Sequence, residues 1–466
     1  MQSQRFVEKD QIRASFADAM SQMYKDEVPL YGALLELVSE TNAQVLTDDP
    51  AIAQSLALTG EIRRLAMERH GAIRVGTDYE LSMLRRLFAV LGMSPVGYYD
   101  LSSAGVPVHS TAFRAVSESS LEISPFRVFT SLLRLDLIDN QELRQFAEET
   151  LSKRQIFTSR VLKLIETHEI EGGLSTTDAE EFVIEALETF RWHSASTVSL
   201  SDYQKLNSQH RLIADVVAFK GPHINHLTPR TLDIDATQSG MRGKGITPKA
   251  VIEGPPRRRC PILLRQTSFK ALDEPVSFVG GHRPERSSHS ARFGEIEQRG
   301  AALTPKGRAL YDKLLDTARK ELGEFPNEEN AERYTQILQR IFLAFPDTYR
   351  EMRSQDLAYF RYFVTEKGIA ARSNELPLKE LDQLLTAGHV QFAPLVYEDF
   401  LPVSAAGIFQ SNLGDDAQSH YQASSSQLSL ERVLGCEIID ELRLYADVQR
   451  TSLLKCSDVL RIPPLV

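Results

Sequence analysis

The sequence predicts an α+β protein in which a β-sheet core carries extensive helical decorations. Segments with helical apolar periodicity alternate with shorter runs that are rich in β-branched and aromatic residues. The two kinds of segment are intermixed, and no low-complexity linker separates them. We therefore expect a helical N-terminal part at about residues 1–95 and a β core with helical insertions at about residues 96–466.

The N-terminal part contains three helical patterns, and two predicted strands follow them. Apolar residues recur at helical spacing over residues 11–23, and again from Pro50 to about residue 67. A third helical pattern begins at Asp78, with leucines along one stripe. Residues 106–116 and 126–137 carry β-branched and aromatic residues in shorter runs, which predicts strands.

The remaining two thirds of the chain continue to mix the two kinds of element. A helical block covers about residues 140–190. The apolar run LIADVVAF at residues 212–219 predicts a buried strand, because Gly221 and Pro222 mark a turn soon after it. Further strands are predicted at residues 261–264, 293–298, 358–364 and 390–396. Further helices are predicted at residues 307–322 and 327–342, and as a final pair within residues 428–460.

Composition limits the partners and the compartment. The chain has 466 residues, of which 42% are hydrophobic, and its formal net charge is −10. This acidic balance argues against a nucleic-acid partner. The three widely spaced cysteines exclude a disulfide framework and suit a reducing compartment. No secretion signal or membrane-spanning apolar run is visible, so we expect a cytoplasmic protein without a membrane partner. The sequence does not predict an oligomeric state.

Several common catalytic motifs are missing from the sequence. It contains no G-x-x-x-x-G-K-[ST] phosphate loop, no H-E-x-x-H metalloprotease motif and no G-x-S-x-G nucleophile elbow. These absences disfavour P-loop nucleotide hydrolysis, zincin proteolysis and the commonest serine hydrolase arrangement. The histidines therefore become the main lead to a chemical site.

Two histidine-containing segments are candidates for a chemical site. His223 and His226 follow the LIADVVAF run and its turn, where a strand opens into a loop. His70 and Arg74 are four residues apart, a separation that places them on one face of a helix or of a strand. A candidate metal ligand and a permanent cation therefore converge. This pairing suits a chelating substrate with a carboxylate, because a guanidinium binds a carboxylate through two nitrogens.

Two glutamates supply candidate carboxylate ligands. If residues 293–298 form a strand, Phe293, Glu295 and Glu297 share one face. Carboxylates on an inward face are costly unless they bind a metal or form an ion pair. Two histidines and one carboxylate from distant segments would form the facial triad that holds non-haem Fe(II) with open coordination positions. Strand periodicity does not choose between Glu295 and Glu297.

Five separated segments carry a resemblance to a known family. They are ERHGAIRVGT from Glu68, HINHLTPR from His223, RFGEIEQRG from Arg292, TPKGR from Thr304 and LPVSAAGIF from Leu401. In this order they resemble the 2-oxoadipate dioxygenase/decarboxylases of bacterial lysine catabolism, also called 2-hydroxyglutarate synthases. The resemblance covers essentially the whole chain, so it is much more specific than any single motif.

The resemblance implies a vicinal-oxygen-chelate-like β core, a partial barrel elaborated by helices, that holds one Fe(II). Carried over to this sequence, the iron ligands are His70, His226 and Glu295. The resemblance thus favours Glu295 over Glu297. Ligands so far apart must meet at one point, so we expect a single elaborated catalytic domain over residues 1–466. Length alone would suggest roughly three domains.

The resemblance also implies the substrate and the reaction. Arg74 matches a substrate-binding arginine, and Val403 and Ser404 match a segment that contacts the substrate carboxylate, the valine through its backbone. The implied reaction converts 2-oxoadipate and O2 to D-2-hydroxyglutarate and CO2 by oxidative decarboxylation and hydroxylation. The partners are therefore a small 2-oxo dicarboxylate and O2. The sequence does not predict which end of the substrate Arg74 would hold.

Two other function classes remain open at this point. One is a metal-dependent isomerase or lyase that acts on a small oxoacid with the same fold. The other is a non-enzymatic binding protein that has kept the fold without a metal. Four histidines receive no role from the sequence, namely His193, His210, His282 and His289.

Overall fold

The computed structural model describes residues 6–102, 105–280, 284–290, 292–324, 326–371, 380–401 and 427–465. Over these residues the chain mixes helices and strands along its length, which confirms the predicted mixed α/β character. Within the same ranges, no helix combines the length and apolar character that crossing a membrane requires.

Most of the described residues outside the strands belong to helices. The α-helices are α1 Lys9–Glu27, α2 Pro29–Asp48, α3 Pro50–Leu58, α4 Glu61–Arg64, α5 Asp78–Val90, α6 Glu118–Ile123, α7 Gln141–Ser152, α8 Ser159–Glu171, α9 Thr176–Leu187, α10 Leu200–Gln209, α11 Arg211–Val217, α12 Ile234–Met241, α13 Pro305–Leu322, α14 Ala331–Ile341, α15 Tyr349–Ser354, α16 Glu366–Ala371, α17 Leu381–Thr386, α18 Gln427–Leu434 and α19 Glu441–Leu460.

The strands are shorter and lie between these helices. They are β1 Arg69–Val75, β2 Ser94–Asp100, β3 Val108–Arg114, β4 Arg127–Leu133, β5 Ala195–Ser199, β6 Leu227–Pro229, β7 Leu264–Ser268, β8 Asp273–Val279, β9 Glu285–Ser290, β10 Glu295–Arg299, β11 Phe360–Val364 and β12 Val390–Pro394.

A five-stranded sheet organises the first half of the chain, in the order β2-β3-β4-β1-β6. Its neighbouring strands are antiparallel, except that β1 and β4 run parallel. Directly after β6, Arg230 forms a bridge with Glu297 of β10, and β10 pairs antiparallel with β7. The β10–β7 ribbon therefore continues this sheet beyond its β6 edge.

The two faces of the sheet pack against different helices. Ile73 and Val75 of β1 belong to a core cluster with apolar residues of α1, α5, α8 and α9. Ala72 belongs to a second cluster, which contains Phe129 of β4 and the apolar residues of α11. Because side chains alternate along a strand, His70 and Arg74 lie on the same face as Ala72. His70 and Arg74 are therefore directed away from the larger helical layer.

Strand β1 lies within the segment, about residues 1–95, for which the sequence predicts helices. It is nevertheless the fourth strand of the sheet and pairs with β4 on one side and with β6 on the other. Every residue of β1 after Arg69 is buried. A strand that is buried on both faces lacks the apolar–polar alternation by which strands are recognised. The predicted helical part at about residues 1–95 therefore contains a strand, at a stretch where the spacing of His70 and Arg74 left helix and strand open.

The apolar run at residues 212–219 is a helix over most of its length rather than the predicted strand. Helix α11 begins after His210, whose side chain accepts a hydrogen bond from Leu212 N. All residues of α11 after Arg211 are buried. When apolar side chains cover a short helix on all sides, its periodicity disappears and it resembles a buried strand. The strand prediction is wrong for this reason.

Most other predicted elements agree with the structure. Strands β3, β4, β11 and β12 and helices α7–α9, α13, α14, α18 and α19 lie at the predicted positions. Strand β7 begins at Leu264, where the predicted strand ends, and so the prediction for residues 261–264 is displaced. The cause is local, because Leu263 has a positive φ of 50° that interrupts an extended strand.

Gly307, in the TPKGR segment, lies where α13 contacts another part of the backbone. Thr304 caps α13 by accepting a hydrogen bond from Gly307 N, and Thr304 N donates to Leu357 O. A Cβ atom at Gly307 would lie 1.9 Å from Leu357 O, which is too close for any side chain. The glycine is therefore required by the close approach of α13 to Leu357.

We expect Gly307→Ala to lower the free energy of unfolding by about 2–3 kcal/mol, because the helix and the backbone at Leu357 must separate. The matched control is Gly32→Ala in α2, where a Cβ would meet nothing within 4 Å. The control should raise stability by up to about 1 kcal/mol through helix propensity. Chemical denaturation of both variants measures the difference, and equal stabilities would contradict the close-approach argument.

Candidate metal centre

Three side chains from separate parts of the sequence meet at adjoining strands. His70 lies in β1, His226 immediately precedes β6, and Glu295 is the first residue of β10. In the β1–β6 pair, His70 is opposite Thr228, and the bridge after β6 connects this strand to β10. Strand pairing therefore brings together His70 and Glu295, which are 225 residues apart in sequence.

The polar atoms of these three residues face one another. His70 Nε2 lies 3.1 Å from Glu295 Oε1, and His226 Nε2 lies 3.9 Å from the same oxygen. One candidate ligand atom from each residue lies within 4.8 Å of the other two. All three side chains are buried. The structure therefore contains a possible metal site made of two nitrogens and one oxygen.

The three candidate ligands fit a divalent cation, and so does a carboxylate oxygen of Glu295 that has no hydrogen bond within the described part of the chain. Among the residues that the structure describes, no hydrogen-bond donor contacts Glu295 Oε2, although this oxygen is buried. Burial of an ionised carboxylate oxygen without a partner is costly, and a bound cation would remove this cost. Two histidines and one carboxylate are also the ligand set of non-haem iron sites with open positions. The residues present therefore fit a metal ion of this class.

The electrostatic environment favours metal-binding forms of two of the ligands. Burial lowers the pKa of His226 to about 4, so this imidazole is neutral at pH 7. Burial opposes ionisation of Glu295, but His226 and His70 lower its pKa below the ordinary value. The pKa of His70 is raised, because Glu297 and Glu295 together outweigh the effect of burial. Metal binding requires a neutral imidazole and an ionised carboxylate, which His226 and Glu295 already supply.

Two neutral side chains orient the Glu295 carboxylate. Thr228 Oγ1 donates to Glu295 Oε1 at 3.0 Å, and Gln266 Nε2 donates to the same oxygen at 2.9 Å. Thr228 lies in β6 and Gln266 in β7, so the strands on both sides of β10 contribute. No pattern in the sequence singles out these two residues, because Thr and Gln are ordinary strand and surface residues.

The two glutamates of β10 have different partners. Glu295 faces both histidines, whereas Glu297 Oε2 lies 2.9 Å from Nδ1 of His70, on the other side of the ring. Glu297 also accepts two hydrogen bonds of 2.8 Å from Nε and Nη2 of Arg299. Strand periodicity leaves open whether Glu295 or Glu297 is the candidate ligand. The geometry groups Glu295, and not Glu297, with the two histidines.

Aromatic rings cover the cluster. The ring of Phe400 meets His70 edge-on, with 4.9 Å between the ring centroids. Phe293 packs against His226 with the same centroid separation of 4.9 Å. Both phenylalanines are almost completely buried. These contacts exclude water from the imidazoles and fix their orientation.

Arg74 lies on the same face of β1 as His70 and is buried beside a carboxylate. Its Nη1 donates to Asp215 Oδ2 at 2.7 Å, and both side chains are 2% exposed. Burial is the main cause of the lowered pKa of His226, and the positive charges of His70 and Arg74 lower it further. Arg74 thus lies on the same strand face as His70, as their four-residue spacing predicts.

Asp215 is a member of the cluster that sequence reasoning missed. Besides Arg74, it contacts His289, whose Nε2 lies 2.9 Å from Asp215 Oδ1. His289 Nδ1 in turn lies 2.8 Å from the hydroxyl of Tyr203. The signal was visible in LIADVVAF, where Asp215 is a single charge within an apolar run. A carboxylate in such a run must find a buried cation, and here the cation is Arg74.

The remaining predicted residues have the following positions. His223 Nε2 lies 3.6 Å from Asp215 Oδ1, and burial lowers its pKa to about 3, so it is a neutral neighbour of Asp215. His210 caps helix α11 and therefore has a structural role. His193 is near Gly221, where a Cβ would meet its ring at 3.3 Å. Val403, Ser404 and His282 lie outside the described residues.

Comparison with known proteins identifies close relatives along the whole chain. A family model described as 2-oxoadipate dioxygenase/decarboxylase matches residues 16–412. A Pseudomonas putida protein named 2-oxoadipate dioxygenase/decarboxylase is 66% identical over 462 residues, which cover 99% of each chain. An Escherichia coli protein of the same name is 54% identical over 450 residues, covering 97% of this chain and 98% of that protein.

A solved structure of a similar protein has the same fold. The crystal structure of the hydroxyglutarate synthase from Pseudomonas putida in complex with 2-oxoadipate superposes with a TM-score of 0.91. It is 64% identical in sequence, and the match covers 98% of this chain and 99% of that structure. On the family match and these identities, the chain belongs to the 2-oxoadipate dioxygenase/decarboxylase family.

Proposed function

We propose that this protein is an Fe(II)-dependent dioxygenase/decarboxylase that converts 2-oxoadipate and O2 to D-2-hydroxyglutarate and CO2 in lysine catabolism. The observation that carries the proposal is the buried group of His70, His226 and Glu295, which is the facial ligand set of non-haem iron. It occurs in a chain whose relatives are named for this reaction. The 2-oxoadipate in the related crystal structure supports the same substrate class.

In the proposed enzyme, His70, His226 and Glu295 would hold Fe(II), which would supply the chemistry of 2-oxo acid chelation and O2 activation. Three protein ligands leave open positions for both reactants. The chain itself contributes orientation and the exclusion of water. Phe400 and Phe293 exclude water by covering the two imidazoles.

Arg74 is the proposed binding group for a substrate carboxylate. A guanidinium offers a planar set of N–H donors that match a carboxylate in position and charge. Asp215, through its hydrogen bond to Nη1, holds this plane in one orientation, and His289 holds Asp215. Val403 and Ser404 complete the proposed contacts to the substrate carboxylate. Because the net charge of the protein is −10, a dianionic substrate would depend on local contacts such as Arg74 rather than on the overall charge.

We further propose that the sheet is a vicinal-oxygen-chelate-like partial barrel within a single catalytic domain of residues 1–466. The support for the first point is the bridge that continues the five-stranded sheet into the β10–β7 ribbon. The support for the second is that candidate ligands from positions 70 to 295 converge at one place.

The reaction itself is the first test. Purified protein supplied with Fe(II), O2 and 2-oxoadipate should consume one O2 for each D-2-hydroxyglutarate and each CO2 that it forms, as measured by oxygen uptake and chiral product analysis. An anaerobic sample is the control and should form no product. Conversion of 2-oxoadipate without O2 would favour an isomerase or lyase. A purified protein that binds no metal in elemental analysis would favour a metal-free binding protein.

The ligand assignment gives a second test. His70→Ala, His226→Ala and Glu295→Ala should each lose bound iron and lose activity together, because three ligands are the minimum for this site. Iron content is measured by elemental analysis, and activity by oxygen uptake. His168→Gln is the control, since this histidine lies in α8 and should leave both values unchanged. Retention of iron by Glu295→Ala would contradict the assignment.

The carboxylate-binding role of Arg74 gives a third test. Arg74→Lys should lower kcat/KM for 2-oxoadipate about 10- to 100-fold, because lysine keeps the charge but loses the planar two-nitrogen contact. Iron content should not change. Arg86→Lys is the control, because Arg86 binds Glu169 through two nitrogens at the protein surface. Wild-type steady-state kinetics in Arg74→Lys would exclude a two-nitrogen contact with the substrate.

A further inference from the structure

We propose that Glu297, held by Arg299, is a positioning residue that fixes the orientation and tautomer of the metal ligand His70. The proposal rests on the proposed metal site, but it concerns a residue outside the ligand set. Nothing in the three-ligand arrangement by itself requires a second carboxylate on β10. The structure nevertheless places Glu297 against His70 in a buried environment, with both side chains 1% exposed.

The His70 ring lies between two carboxylates that contact opposite nitrogens. Nε2 is 3.1 Å from Glu295 Oε1, and Nδ1 is 2.9 Å from Glu297 Oε2. A neutral imidazole carries one N–H. When that proton is on Nδ1, the nitrogen that faces the Glu297 carboxylate at 2.9 Å, the lone pair of Nε2 is directed towards the proposed metal. If Glu297 were absent, the proton could occupy Nε2 instead, and the ligand would have to change tautomer before binding.

Arg299 prevents Glu297 from taking another orientation. Its Nε and Nη2 bind the two oxygens of Glu297 in parallel, each at 2.8 Å. The Arg299 side chain is 0% exposed, so water does not compete for either partner. A two-nitrogen contact of this kind fixes the plane of the carboxylate. The Glu297 oxygen that faces His70 therefore has a defined direction.

Arg299 also holds the chain segment that packs on the other side of His70. Its Nη1 donates to Tyr397 O at 2.6 Å and contacts Asp399 O at 3.3 Å. The next residue, Phe400, packs edge-on against His70. One arginine thus fixes both the carboxylate that contacts Nδ1 and the backbone that carries the aromatic contact. Both contacts restrict the His70 ring, which supports a positioning role for the Glu297–Arg299 pair.

A purely structural role is the alternative explanation. In that case Glu297 would serve to neutralise Arg299, and the pair could be replaced without any effect on His70. The two explanations differ in one measurable quantity, which is the affinity of the intact protein for a metal ion. Loss of an outer partner of a ligating histidine typically lowers metal affinity 10- to 100-fold, whereas loss of a distant ion pair leaves it unchanged.

The test compares metal affinities in the absence of turnover. Wild-type protein, Glu297→Gln and the double variant Glu297→Gln with Arg299→Gln are titrated with Co(II) or Zn(II) alone, in competition with a chelator. The double variant leaves no unpaired arginine in the interior. The single variant is nearly isosteric, and it still tests the proposal if the double variant does not fold. We expect dissociation constants about 10- to 100-fold above the wild-type value. The Co(II) absorption spectrum should also change, since a reoriented imidazole alters the ligand geometry.

The matched control is a different buried ion pair. Glu80 and Arg154 also form two hydrogen bonds, each of 2.7 Å, with side chains 3% and 4% exposed. The double variant Glu80→Gln with Arg154→Gln should bind metal with wild-type affinity. Wild-type affinity and spectrum in folded Glu297 variants would overturn the positioning role, while the metal site would stand. Failure of the wild-type protein to bind Co(II) or Zn(II) would instead overturn the proposed metal site.

Discussion

The pairing of buried charges is the interaction on which the architecture around this centre depends. Glu68, which immediately precedes β1, accepts hydrogen bonds from Arg64 and Arg230, at 2.9 Å and 3.0 Å. Arg127 of β4 lies 3.1 Å from a carboxylate oxygen of Glu398, which also pairs with Arg64. Removing one partner from such a buried pair costs about 3–5 kcal/mol, because the other charge is left unpaired. Each charged side chain therefore holds its neighbours in place.

This network joins the same elements that carry the candidate ligands. Glu68 fixes the start of β1, Arg127 fixes β4, and Arg230 fixes the end of β6 beside β10. Glu398 pairs with Arg127 and so holds the segment that carries Phe400, whose ring packs on His70. The positions of the candidate ligands are consequently not independent of one another. Buried ion pairs of this kind restrict the candidate ligands, and such preorganisation would limit the reorganisation that binding requires.

Local patterns predicted those features of the site that depend on neighbouring residues. The spacing of His70 and Arg74 placed them on one face whether the segment was helix or strand, and β1 has that arrangement. The alternation of Glu295 and Glu297 likewise put both carboxylates on one face of β10. Asp215 was missed, because its run was interpreted as a strand and its partner Arg74 is 141 residues away. Sequence patterns of short range contain no information about such a partner.

The sequence by itself determined the mixed α/β character, most of the elements and the family, since these depend on periodicity and on ordered motifs. The tertiary structure decided which residues of these elements meet. It showed that α11 is a helix, because burial on every side had removed the helical pattern. It also separated the two glutamates, directing Glu295 to both histidines and Glu297 to Arg299 and the far side of His70. Strand register and long-range ion pairs made that distinction, and both are properties of the folded chain rather than of any local segment.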